Sequence, residues 1–177
     1  RGWLLNVGYD FVRNNGFLSE VNRIIFHDVD MLAYSNVSYY SNFPTNMIRI
    51  EHMATAVSQF DYNMPYENYV GGVIAFDRTT FEDINGFSNM FKGWGGEDDN
   101  LYTRIKAKKY RIYRSKNKNV FGSLSFDHLS DKKKNTNYRE NIKILETQQT
   151  NSDFEKDGLN KCLSEEVGKV VDVRRWN

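Results

Sequence analysis

The order of apolar and polar positions divides this chain into helical and extended stretches. In residues 3–14, WLLNVGYDFVRN, the positions Leu4, Leu5, Gly8, Phe11 and Val12 recur near helical spacing. Asn14-Asn15-Gly16 then ends the predicted helix. Residues 23–27 read as a short buried strand and HMATAV, 52–57, as another. Residues 31–50 are aromatic-rich and follow neither period. NYVGGVIAFD, 68–77, predicts a strand with a glycine pair at its start. Thr79 or Thr80 is placed to cap a short helix, with Glu82 or Asp83 in capping-box position and Gly86 at its end. GWGGEDD, 93–99, is a glycine-hinged loop running into a helix over 98–108, with Leu101, Tyr102 and Ile105 on its buried side. Its acids lie at the N-terminal end and Lys106, Lys108 and Lys109 at the other, both favourable to the helix dipole. YRIYR, 110–114, predicts a strand, 137–149 a helix, and the terminal VGKVVDVRR a last strand. Strands alternating with helices predict an α/β layered domain.

A chain of 177 residues can bury one real core, and 40% hydrophobic with 15% aromatic content excludes a disordered segment. The net charge of +1 gives no ground for a nucleic-acid partner, and Lys132-Lys133-Lys134 reads as a solvated loop. Cys162 is the single cysteine, so neither an intrachain disulfide nor a cysteine-based zinc site is open to the chain. No apolar run approaches the roughly 20 residues of a membrane span. Position 1 is Arg, so a processed or truncated piece is expected, and no signal peptide is visible. One sequon, Asn36-Val37-Ser38, is present.

Candidate chemistry begins at IIFHDVDML, 24–32, where an apolar strand runs into Asp28 and Asp30. Residues two apart on a strand share a side, and two carboxylates there repel unless a cation or donors hold them. No Arg or Lys occurs between residues 24 and 48, and hard oxygen ligands suit Mg²⁺ or Mn²⁺. Loop-capping aspartates are the plain alternative. A second acidic group, Glu97-Asp98-Asp99, follows Trp94-Gly95-Gly96. It reads either as a dipole complement or as a lid that brings an aromatic platform and a base to a sugar. His128 lies in a polar, irregular stretch with no strong core context, which leaves a ligand role open, whereas His52 opens an apolar strand and reads as structural.

Taken together, LLNVGYDF, FHDVDML, HMATAVSQFDYNMPYENYVGGVIAF, FEDINGFSNMFKGWGGEDDNLYTRI, HLSDKKKN and DGLN resemble the C-terminal catalytic region of the β-1,4-galactosyltransferases, glycosyltransferase family 7, over residues 4–160. The resemblance implies a GT-A fold: a mixed, mainly parallel sheet flanked by helices, with a metal at the strand tips. It implies one partial catalytic domain over 1–177, the family's uridine-binding segment lying N-terminal to anything in this chain. It implies an inverting, Mn²⁺-dependent transfer of galactose from UDP-galactose to a sugar hydroxyl of a glycan acceptor. By matching, Asp30 and His128 would hold the metal. Asp28, Glu97, Tyr69 and Trp94 would meet the donor, Trp94 as the tip of the closing loop. Asp98 would be the base, and Asp99, Gly72, Tyr66 and Ile142 would meet the acceptor. Tyr69 favours UDP-galactose over its N-acetyl analogue.

Two departures stand out. Ser125 and Ser130 occupy positions where the family usually has a further ligand, and Arg139 stands where an aromatic is common. They leave the third protein ligand and the acceptor sugar open. The alternatives are an N-acetylgalactosaminyltransferase of the same superfamily, or a carbohydrate-binding relative without transfer activity. A single cysteine favours a cytoplasmic enzyme, with the Golgi lumen of the animal relatives as the alternative.

Overall fold

The computed structural model describes residues 1–34, 37–39, 43, 47–116, 119–124 and 137–162. Helix α1 (Gly2–Asn14) forms where the apolar spacing places it, and Asn15 and Gly16 close it. Strands β1 (Ile24–His27) and β2 (Met31–Ala33) follow, then β3 (Ile50–His52), β4 (Ala56–Val57) and β5 (Val73–Phe76). Helices α2 (Arg78–Asp83) and α3 (Glu97–Ala107) precede β6 (Val120–Ser123). Helices α4 (Tyr138–Thr147) and α5 (Asn151–Lys156) end the described chain.

The strands form two three-stranded sheets, β1-β5-β3 and β2-β6-β4. Strand β5 explains how they share a core. Its side chains alternate, so Ile74 and Phe76 enter one cluster and Val73 and Ala75 the other. The first cluster packs β1, β3 and β5 against α1, α2 and α3 through Tyr9, Phe26, Phe81, Phe87, Leu101 and Ile105. Each buried phenylalanine there contributes about 1.5–3 kcal/mol by leaving water. The second cluster joins the two sheets through Met31, Met53, Val57 and Phe121.

The architecture is mixed, as expected, but the expectation of mainly parallel pairing is not met among the described strands. Three ladders are antiparallel, and only β4 with β6 is parallel. Parallel neighbours need long crossovers, usually helical. Here β1 and β3 both pair with the oppositely running β5 between them.

Three local expectations are corrected. HMATAV is not one strand. At Met53 and Ala54 both amides donate to the carbonyl of Val73, and the chain leaves the first sheet to enter the second. The cap of α2 is Asp77, whose carboxylate accepts from Thr79 Oγ1 and the Thr80 amide, so neither threonine caps. YRIYR contributes one parallel bridge, Tyr113 with Glu51, instead of a strand. Helix α5 is an element that the apolar spacing does not predict; Thr150 and Asp153 start it with a capping box. The expected terminal strand, Lys132-Lys133-Lys134 and Asn36 of the sequon lie outside the described residues. No described helix is long and apolar enough to cross a membrane.

Candidate active site

Asp28 and Asp30 sit on the seam between the two sheets. β1 ends at His27 in the first sheet and β2 begins at Met31 in the second. The Met31 amide donates to the Asp28 carbonyl at 3.1 Å, and the Asp28 amide to the Gly72 carbonyl at 2.9 Å. The Asp30 carbonyl accepts from the Leu124 amide at 2.9 Å, beside the end of β6. The turn is thus fixed from both sheets, and strand geometry aims it at the start of α3.

The cation that local sequence does not offer comes from Arg1, at the start of α1. Its Nε lies 2.6 Å from Asp28 Oδ1, and its Nη1 pairs with Asp98 and lies 3.6 Å from Glu97 Oε1. No short-range signal could have found this contact, because the two acidic motifs meet only after folding. Burial lowers the affinity of the guanidinium for its proton, but the three carboxylates outweigh it and hold Arg1 charged. Burial pushes the Asp28 carboxyl up; Arg1 pulls it back, and Asp98 and Asp30 push it further up. Glu97 is likewise raised by burial and then by Asp98, against the pull of Arg1. Ionised, the three carboxylates exceed the single guanidinium by two negative charges.

The acids of α3 lie at its positive end. Gly96 starts the helix at φ +92, where a side chain would meet the Phe91 ring, and so turns the chain sharply into Glu97. Gly71 matters for a different reason. A methyl group there would stand 2.5 Å from Asp98 Oδ2 and 2.6 Å from the Tyr69 ring. The backbone therefore passes directly against the carboxylate of Asp98, an approach only glycine permits.

The tyrosines stand beside the same acids. The Tyr66 hydroxyl donates to Asp99 Oδ1 at 2.9 Å, and its ring meets Tyr69 edge-on at 5.6 Å. Burial raises the Asp99 carboxyl, Tyr66 lowers it, and Asp98 raises it again. Tyr69 is kept protonated by burial and by the charges of Asp98 and Asp28. Gly72, at φ +79, follows next to Ala54 and Met31.

The Trp94 loop is held by α4. The buried Asn141 amide donates to the carbonyls of Lys92 at 2.9 Å and Gly95 at 2.8 Å, and its Oδ1 accepts from the Lys92 amide at 3.3 Å. Trp94 itself stays 38% exposed. Ile142 is half-buried on α4, next to Asn141. Asn141 carries no distinguishing signal in the sequence, and Gly71 is marked only by the glycine pair at the start of the predicted strand.

The structure thus brings together Asp28, Glu97, Asp98, Asp99, Tyr66, Tyr69 and Gly72, with Asp30 at the same turn. His128, Ser125 and Ser130 lie outside the described residues. Among the described residues no three His, Cys, Asp or Glu side chains are grouped to hold a metal ion. Asp28 and Asp30 nevertheless supply oxygen donors that suit Mn²⁺, and the charge excess matches a divalent cation. A part-buried carboxylate, Asp98, beside a hydroxyl-bearing aromatic wall and near a turn that carries two further carboxylates suits attack by a sugar hydroxyl on a centre whose leaving group is anionic.

Residues 51–128 match the family described as the N-terminal domain of galactosyltransferase. β-1,4-Galactosyltransferase 1 of Mus musculus is 33% identical over 176 residues, covering 99% of this chain and 40% of that protein. β-1,4-Galactosyltransferase 4 of Rattus norvegicus is 34% identical over 163 residues, covering 92% of this chain and 44% of that protein. The chain thus spans less than half the length of these curated relatives. Among solved structures, a mutant of Drosophila β-1,4-galactosyltransferase 7 in complex with manganese, UDP-Gal and xylobiose superposes with a TM-score of 0.66 at 27% identity. That match covers 91% of this chain and 63% of the other. The fold is accordingly of the GT-A type. With relatives aligned along almost its whole length, the chain belongs to the β-1,4-galactosyltransferase family, as part of its catalytic domain.

Proposed function

We propose that the protein containing this chain transfers galactose from UDP-galactose to a sugar hydroxyl of a glycan acceptor, with inversion, and requires Mn²⁺. The observation that carries this reading is the convergence of Asp28, Glu97 and Asp98 on one guanidinium. Two motifs far apart in sequence thereby form one acidic centre. The Drosophila relative bound to manganese, UDP-Gal and xylobiose supports the donor, the metal and the class of acceptor.

Asp98 accepts the proton of the acceptor hydroxyl as its oxygen bonds to the anomeric carbon. The bond from that carbon to the diphosphate breaks, and its electron pair leaves with UDP. Asp30 and His128 would hold Mn²⁺, which when bound would neutralise charge on the departing diphosphate. Asp28 and Glu97 orient the donor sugar, and Trp94 covers it and excludes water. Asp99, braced by Tyr66, receives an acceptor hydroxyl, with Gly72 beneath the sugar ring and Ile142 at its edge. The Tyr69 hydroxyl fills space over Gly71 and Gly72, which supports galactose over N-acetylgalactosamine.

The test uses the full-length protein with UDP-galactose, UDP-N-acetylgalactosamine and UDP-glucose, sugar acceptors, and Mn²⁺ or chelator. Transfer from UDP-galactose alone, giving a β-linked product and lost on chelation, is expected. Asp98→Asn should lower turnover about 10²–10⁴-fold while UDP-galactose still binds. Full activity of Asp98→Asn or Asp30→Ala, or no turnover of any donor, overturns the proposal.

A further inference from the structure

The tyrosine wall beside Asp98 is not part of any strand, yet it must stand still for an acceptor to meet the base. Two residues behind it account for its position. Arg114 Nη2 donates to the carbonyls of Glu67 at 3.1 Å and Tyr69 at 3.0 Å. His52 Nε2 lies 3.0 Å from the carbonyl of Gly71. The carbonyls of residues 67, 69 and 71 are thus taken one after another by two side chains.

These two side chains also fix each other. Arg114 Nε donates to His52 Nδ1 at 3.3 Å. That contact defines the tautomer, because an acceptor at Nδ1 leaves the proton on Nε2, where it faces Gly71. Burial keeps the ring neutral, which this arrangement requires. The pair is anchored in the sheet: the His52 amide donates to the Tyr113 carbonyl, and the Tyr113 amide to the Ile50 carbonyl, each at 2.9 Å. The His52 ring then meets Tyr69 edge-on at 5.5 Å, and Tyr69 meets Tyr66. Since Gly71 touches Asp98 and Tyr66 touches Asp99, the position of this stretch sets the spacing between the wall and both acids.

We propose that Arg114 and His52 are positioning residues: they clamp the backbone of residues 67–71 and thereby place Tyr66 and Tyr69 against Asp98 and Asp99. Neither side chain touches the reacting atoms. The clamp rests on the galactosyl-transfer reading only for its kinetic consequence, because its structural consequence exists in the resting protein.

The experiment substitutes Arg114→Met, which keeps the length of the half-exposed side chain and removes its donors, and Arg114→Lys, which keeps the charge but not the fork. In the full-length protein, hydrogen exchange of the amides in residues 66–73 should quicken about tenfold in Arg114→Met, with β1 and α3 unchanged. The acceptor KM should rise about tenfold, and hydrolysis of UDP-galactose without acceptor should fall clearly less than transfer does. Arg114→Lys should recover only part of either effect. In Arg114→Ala, added guanidinium ion should restore acceptor KM. Unchanged exchange in residues 66–73 overturns the clamp, as does an equal fall of hydrolysis and transfer. If the wild-type protein transfers nothing, the reaction assigned above fails, and hydrogen exchange still decides the clamp.

Discussion

Arg104 and Arg1 both meet carboxylates, and they differ in what surrounds them. Arg104, on α3, is fully buried and has one carboxylate partner, Asp157, at 3.3 Å. Neutral acceptors take its remaining donors: Asn100 Oδ1 at 2.8 Å and the carbonyls of Asp157 at 2.8 Å and Asn85 at 3.3 Å. The Phe154 ring covers the guanidinium at 5.0 Å. Asp157 in turn accepts from Ser88 Oγ and the Asn89 amide. Burial pulls Arg104 down to about 10, with Asp157 opposing, so it stays charged at neutral pH. Arg1 instead faces three carboxylates at a half-open site, and burial leaves two of them raised. One centre matches charge with charge and fills the rest with dipoles, which fixes α3 against residues 85–89 and 148–157. The other leaves negative charge in excess, which is costly unless something binds.

The contrast is tested most severely at Arg104. Arg104→Met leaves Asp157 buried without its cation and should cost about 3–5 kcal/mol in urea unfolding, while turnover per folded molecule is retained. A loss below about 1 kcal/mol would remove the distinction between the two centres.

His52 belongs with the matched kind, buried and neutral with both ring nitrogens engaged. Burial holds it at about 4, below its ordinary 6.5. As pH falls, the unfolded chain takes up this proton before the folded one does. The contribution of neutral His52 is therefore complete above about 6.5 and is lost progressively towards 4, amounting to roughly 3 kcal/mol. Denaturant midpoints across that range should fall for the wild type and fall less for His52→Gln. Asp28 and Glu97 act in the opposite sense, since their raised carboxyls favour the folded state as they protonate. A wild-type curve flat down to pH 4, matched by the variant, would refute the role of His52.

Asn141→Ala removes the amide that holds the Trp94 loop and should cost about 1–3 kcal/mol. Acrylamide quenching of tryptophan fluorescence should increase with it. No change in quenching would mean that Asn141 does not set the loop.

The smallest effect is expected at Arg1. Arg1→Gln should change stability by no more than about 1 kcal/mol, because water replaces the lost pairs at this part-exposed site. Millimolar Mn²⁺ should offset the loss. A large, cation-insensitive loss would make Arg1 a second structural centre like Arg104.

The sequence disclosed elements better than encounters. β1, β5 and α3 were legible because their apolar residues enter the core they pack. For α1 the extent was legible but not the face: Leu4 and Gly8 are exposed, while Asn6, Val7, Tyr9 and Asp10 are buried. HMATAV misled because every residue from Glu51 to Val57 is buried, so its composition hides the point where pairing changes sheets. Asp77 was absorbed into the strand it terminates, although its side chain does the capping. In the site, both acidic motifs were visible, and resemblance supplied the roles of Tyr66, Tyr69 and Gly72. The roles of Arg1, Gly71, Asn141 and Arg114 were not visible, since each acts through a contact distant in sequence. DGLN contributes to the resemblance alone, yet its aspartate, Asp157, is the partner of Arg104.

The seam has a consequence for recombining this catalytic region with those of its relatives. The chain passes between the sheets at Asp28–Asp30 and again at residues 53–55, and β5 lends one face to each core. A chimera that exchanged one sheet as a module would have to be spliced through the D-x-D itself. Workable crossover points lie instead before β1 and after β6, so the two sheets and the acids between them are inherited as one block.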